Sequence, residues 1–103
     1  MPVVSKYPTK QGEELAHAVT LIGNKQEATG FLRDLLTPTE MKHLSRRFET
    51  AKLLWTTTGT YTDIAKELKT TVTSVAKTAQ WLYREPWQGY AAVLRKKYGP
   101  SKR

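Results

Sequence analysis

Between residues 62 and 80 the chain gathers side chains suited to touching a polyanion. They are the ammonium groups of Lys66, Lys69 and Lys77, the hydroxyls of Thr62, Thr70, Thr71, Thr73 and Ser74, and the amide of Gln80, with the small apolar Val72 and Ala76 interleaved. Cations hold phosphate oxygens, hydroxyls donate to phosphate or base acceptors, and an amide matches the paired donor and acceptor of a base edge. Val72 and Ala76 are short enough to meet thymine methyl groups. No comparable set exists for covalent chemistry. The chain has no cysteine, which excludes disulfides, thiolate metal sites and Cys nucleophiles. His17 and His43 fall on different expected helices with no acidic partner at ligand spacing, so no metal site is expected. His43 and Ser45, two apart on one helix, face differently and form no nucleophile and base pair. GNK at 23–25 and TTGT at 57–60 are isolated turns rather than phosphate-cradling loops. No catalytic residue and no cofactor are expected, and an enzyme is set aside.

The stretch needs a scaffold, and the sequence supplies one. Thr60 followed by Asp63 reads as an N-cap with its partner, and Ile64, Ala65 and Leu68 give one inward face over two turns. Lys69, Thr70 and Thr71 interrupt that face. Thr71 then caps a second helix, with Ser74 three residues on, whose inward positions are Val75, Ala79 and Leu82; it runs to about Arg84, and Pro86 ends it. Two helices joined by so short a turn cross steeply and project the second outward, the helix-turn-helix arrangement, here over about residues 60–84. Val72, Thr73, Ser74, Ala76, Lys77 and Gln80 then face out to meet base edges. Thr62, Lys66, Lys69, Thr70 and the amides at the second helix's start would hold the phosphate backbone, and Arg46, Arg47 and Lys52 on the preceding helix would extend the footprint. The ordinary alternative is an antiparallel hairpin with a solvated Lys and Thr face. Lys69 occupies the turn position where Gly often supplies a left-handed backbone, so either this lysine is strained or the turn has another shape.

The remaining segments also read as helices. Leu15, Ala18, Val19 and Ile22 recur at helical spacing over 11–22, with Gly23 as a stop. Asn24 and Glu27 form a capping-box pattern before Ala28, Phe31, Leu32 and Leu35. In TPTE at 37–40, Thr37 is the cap, Pro38 takes the first helical position and Glu40 reaches back. A long helix follows, with Met41, Leu44, Phe48, Ala51, Leu54 and Trp55 as its apolar stripe, ending between Thr57 and Gly59. Residues 88–98 form the last helix, with Tyr90, Ala91, Val93, Leu94 and Tyr98 on its apolar side, closed by Gly99 and Pro100. TTTGTYT at 56–62 is β-prone but has no partner segment. The expected fold is all-α with six helices: an arm over 1–10, a helical domain over 11–98 and a frayed tail over 99–103.

Charge distribution agrees with the chemistry of residues 62–80. Of the 17 Lys and Arg and 9 Asp and Glu among 103 residues, four of each sign lie within residues 1–35, so the whole net charge of +8 lies in residues 36–103. A polyanion is the matching partner. No apolar run approaches the ~20 residues that span a bilayer, and the start MPVVSKYPTKQGEE does not read as a signal peptide. The expected place is the cytoplasm, at the nucleoid, with no membrane contact.

With LLTPTEMKHLSRRFETAKLL, YTDIAKELKTTVTSVAKTAQWL and GYAAVLRKKY in view, the chain resembles the Trp repressor superfamily, and more closely its YerC/YecD branch, over about residues 11–98. The resemblance implies a six-helix fold, an intertwined homodimer, and two reading helices set for successive major grooves of double-stranded DNA, hence a transcriptional repressor. Six short helices leave Phe31, Phe48, Trp55, Trp81 and Trp87 poorly covered in one chain, which independently favours a two-fold pair. In tryptophan-responsive members the amino acid is held by two arginines, a serine hydroxyl and backbone of the LTP segment. Carried over by position, Thr37 and Arg47 match, the second arginine falls on Lys77 and the serine on Trp81. Lysine lacks the flat guanidinium that covers an indole, and a Trp at 81 would fill the pocket or block the ligand's ammonium group. Control by L-tryptophan is therefore not expected, and any small-molecule effector is unspecified. The competing readings are a basic helical adaptor for an acidic protein and an RNA-binding domain; the aromatics at core-periodic positions argue against the latter.

Overall fold

Residues 7–103 are described by a computed structural model, in which the chain divides into two compact units, Met1–Pro38 and Thr39–Arg103. Most of the expected N-terminal arm, residues 1–6, lies outside the described residues. The helices are α1 (Lys10–Thr20), α2 (Lys25–Leu35), α3 (Pro38–Thr56), α4 (Tyr61–Leu68), α5 (Val72–Tyr83) and α6 (Gly89–Tyr98), with no strand among the described residues. The all-α, six-helix expectation holds. None of these helices is long and apolar enough to cross a membrane.

Local chemistry explains where the helices begin. The oxygens of Thr9, Asn24, Thr60 and Thr71 each accept an N–H from the first turn, at 3.0, 2.8, 3.0 and 3.0 Å, so four helices open on side chains that satisfy an otherwise unpaired donor. At Thr60 the box is reciprocal, because the Asp63 carboxylate also accepts from the Thr60 N–H at 3.3 Å. At Asn24 the second half is displaced by one residue: Glu27 Oε1 accepts from Gly23 N–H at 2.7 Å. Gly23 thus serves the start of α2, while α1 has already closed at Leu21, whose N–H bonds Ala18 at 3.1 Å.

In the first unit, α1 and α2 are amphipathic, yet neither contains a buried residue. Ala18, Ile22, Ala28, Phe31 and Leu36 are half-buried, whereas Leu15, Val19, Leu21, Leu32 and Leu35 are exposed. The expected stripes are present, but their residues are at most half-buried.

The second unit holds the core. Ala51, Leu54 and Trp55 of α3, Ile64 and Ala65 of α4, Val75, Ala79 and Leu82 of α5, and Ala91 and Leu94 of α6 form one buried cluster, with Phe48, Leu53, Leu68, Tyr90 and Tyr98 packed against it. In α3, α5 and α6 the buried residues recur three or four apart, and in α4 the adjacent Ile64 and Ala65 share a side with Leu68, so one stripe per helix suffices. Four expectations fail here. Trp55, expected to be poorly covered in a single chain, is 2% exposed. Met41 and Leu44, ahead of the buried part of the α3 stripe, are exposed, and so is Val93 on α6, which points away from the Ala91 and Leu94 side. The segment after α6 is not frayed: Lys102 N–H donates to Trp55 O at 2.9 Å and Arg103 Nε to Leu54 O at 2.7 Å.

Candidate nucleic-acid interface

The turn between α4 and α5 answers the question that Lys69 raised. Its backbone is left-handed, φ 54° and ψ 45°, and Thr70 N–H returns to Ala65 O at 2.9 Å. This is the helix-ending geometry that Gly usually supplies, so the lysine adopts the usual turn and bears its torsional cost. Ala65, buried, leaves space for the two helices to approach. Thr71 is committed to the cap of α5: it accepts from Ser74 N–H and donates to Ser74 Oγ, both at 3.0 Å.

Beyond the cap, α5 is split by its own periodicity. Val75, Ala79 and Leu82 face the core, while Val72, Thr73, Ser74, Ala76, Lys77 and Gln80 are exposed. On α4 and the turn, Thr62, Lys66 and Lys69 are exposed and Thr70 is half-buried. The short side chains of α5 are thus open to solvent, not covered by the chain's own aromatic residues.

The outward face is flanked on each side by a cleft. On one side Ser74, Lys77, Thr78 and Trp81 of α5 join Arg47 of α3 and Tyr90 of α6 around about 550 Å³. These α5 residues are three and four apart, so they share one helical side. On the other side Ala76, Ala79, Gln80, Tyr83 and Arg84 join Tyr61, the first residue of α4, around about 490 Å³. Here Gln80 Nε2 stands 3.5 Å from Glu85 Oε1, a long contact that leaves the amide free to turn.

Of the residues carried over for an effector pocket, Arg47, Lys77 and Trp81 line the first cleft together, while Thr37 belongs to the other compact unit. Trp81 does not fill the space: it is 56% exposed and forms one wall. Tyr90 and Thr78 in that cleft, and Tyr61, Tyr83 and Arg84 in the second, carry no local sequence signal of a site role. Their signal is available only once α5 is placed, since Thr78 and Tyr83 flank its inward stripe.

Among the described residues no group of three or more His, Asp or Glu side chains could hold a metal ion. Comparison with curated proteins gives no significant match, and comparison with solved structures gives none either. The family model described as Trp repressor protein matches residues 10–98, from the start of α1 to the end of α6, and the chain belongs to that family.

Proposed function

We propose that this protein is a sequence-specific double-stranded DNA-binding regulator, a repressor that acts as a homodimer at the nucleoid and lays α5 in the major groove. The observation that carries the reading is the exposed face of Val72, Thr73, Ser74, Ala76, Lys77 and Gln80 on the second helix of a capped pair joined by a short left-handed turn. Its groups are short and can approach bases closely, with Lys77 and Gln80 as the two long polar reaches. Lys66, Lys69, Thr62 and Thr70 belong to the backbone-holding part of the same surface, and Thr71 contributes by capping the start of α5. Membership of a repressor family and a positive excess confined to residues 36–103 point the same way. The uncovered apolar residues of α1 and α2 suit a second copy of the chain, which would place two reading helices ~34 Å apart on a two-fold operator.

In this reading L-tryptophan does not control binding. Lys77 presents a point charge where stacking on an indole needs a planar cation, and the Trp81 indole already forms part of the cleft wall. In this reading the wall that Trp81 forms helps set the reading helix without a ligand, while the cleft itself stays open. Selection of bound fragments from the source genome at two salt concentrations tests the reading as a whole, with a two-fold motif as the expected result. In gel shifts, Lys77→Ala and Gln80→Ala should each weaken the selected duplex by about 1–3 kcal/mol, while Lys25→Ala, on the charge-balanced first unit, should leave it unchanged. Equal effects from all three would overturn the assignment of α5. Saturable micromolar heat on titration with L-tryptophan would overturn the ligand-free part.

A further inference from the structure

Helix α3 ends with a problem: its last turn contains no basic side chain, and the carbonyls of Leu54 and Trp55 belong to residues that are almost wholly buried. Terminal helix carbonyls have no partner within their helix, and buried ones cannot rely on water. Threonine hydroxyls do not reach these two carbonyls: Thr56 Oγ1 and Thr57 Oγ1 add second donors one turn earlier, to Lys52 O at 2.7 Å and Leu53 O at 2.6 Å. The donors to Leu54 O and Trp55 O come from farther along the chain, beginning with Tyr83 Oη of α5, a long 3.4 Å from Leu54 O. Arg103 Nε donates to Leu54 O at 2.7 Å, its Nη2 donates to Gly59 O in the loop leading to α4, and Lys102 N–H donates to Trp55 O at 2.9 Å.

The same segment is tied to the other helices of its unit. The Arg103 guanidinium lies over the ring of Tyr61, the first residue of α4, at 6.0 Å. Ser101 Oγ and Tyr83 Oη of α5 are 2.7 Å apart. The Tyr83 ring stacks on the Trp55 indole at 6.0 Å and 7°, and Trp55 Nε1 donates to Gly99 O at 2.7 Å. Residues 99–103 therefore touch the end of α3, the loop at 57–60, the start of α4 and the end of α5.

We infer that this segment is a clasp and that Arg103 is a positioning residue: by bridging Leu54 O and Gly59 O it fixes the loop on which the α4–α5 pair turns relative to α3. A cation at the C-terminal end of α3 also meets the negative end of the helix dipole, which a neutral hydrogen-bond donor would not. The clasp rests only on contacts within the second unit; its consequence for DNA rests on the proposed function.

Amide hydrogen exchange on the chain tests it, comparing the wild type with Arg103→Ala, Arg103→Lys and Tyr83→Phe. Arg103→Ala is expected to speed exchange at Thr57, Asp63 and Ile64 roughly three- to tenfold, the size of a net hydrogen bond, while the amides of Ala91 and Leu94 keep their rates. Arg103→Lys should restore only part of the protection, because an ammonium group cannot present the fork that bridges two carbonyls. Tyr83→Phe should give a smaller change in the same loop. Uniform acceleration across α3 to α6, or unchanged exchange at 57–64, would overturn the proposal. With the selected duplex, Arg103→Ala should lower affinity with the salt slope unchanged. A slope reduced by about one would make Arg103 a phosphate contact and overturn the positioning role. If the wild type selects no duplex, the DNA reading fails while the exchange result still decides the clasp.

Discussion

The two compact units carry similar helical patterns to opposite outcomes. Helices α3 to α6 turn their stripes into a shared core around Leu54, Val75, Leu82 and Leu94, all with no solvent exposure, whereas α1 and α2 present equally regular stripes without burying a residue. Amphipathicity specifies a face to be covered but says nothing of which chain covers it. The first unit is charge-balanced and exposes apolar residues along its helices; the second holds the excess charge and its own interior.

Mutations at the two kinds of stripe should separate them. The largest effect is expected from Leu54→Ala, which opens a cavity in a closed core and should cost about 2–5 kcal/mol in urea unfolding at any protein concentration. Val19→Asp or Leu32→Asp should instead weaken association by tenfold or more, about 1.4 kcal/mol, seen by sedimentation as a shift to monomer and by a stability that varies with concentration. A mutant monomer as stable as the wild type at every concentration would sink the assignment of α1 and α2 to a dimer. Thr60→Ala removes the capping box on α4 and should cost about 1 kcal/mol, read from the same unfolding curves. Smallest is Lys69→Gly, which relieves a left-handed lysine but adds chain freedom when unfolded, for a net gain of up to about 1 kcal/mol.

What the sequence discloses and what it withholds follow from the range of the interactions involved. The caps at Asn24, Thr60 and Thr71 act within three residues of themselves, so the starts of α2, α4 and α5 are legible in the sequence directly. The outward set on α5 was legible for the same reason, since it is what remains once Val75, Ala79 and Leu82 turn inward. Val93 departs from its expected side because adjacent apolar residues face inward together in some helices, as Leu54 and Trp55 do, and not in others, and only packing selects Leu94 over Val93. The grouping of Arg47 with Lys77 and Tyr90 came by resemblance or not at all, and the contacts of Arg103 with Leu54 and Gly59 link positions more than forty residues apart, which leaves no periodic trace.

The three indoles of this protein occupy contrasting surroundings: Trp55 is 2% exposed and stacked on Tyr83, while Trp81 and Trp87 are 56% and 66% exposed. A soluble quencher such as iodide would therefore reach the emission of two of them and spare the third. Blue, shielded fluorescence would follow unfolding, and red, quenchable fluorescence would register anything that settles beside Trp81, so the native chain carries its own optical probe without an added label.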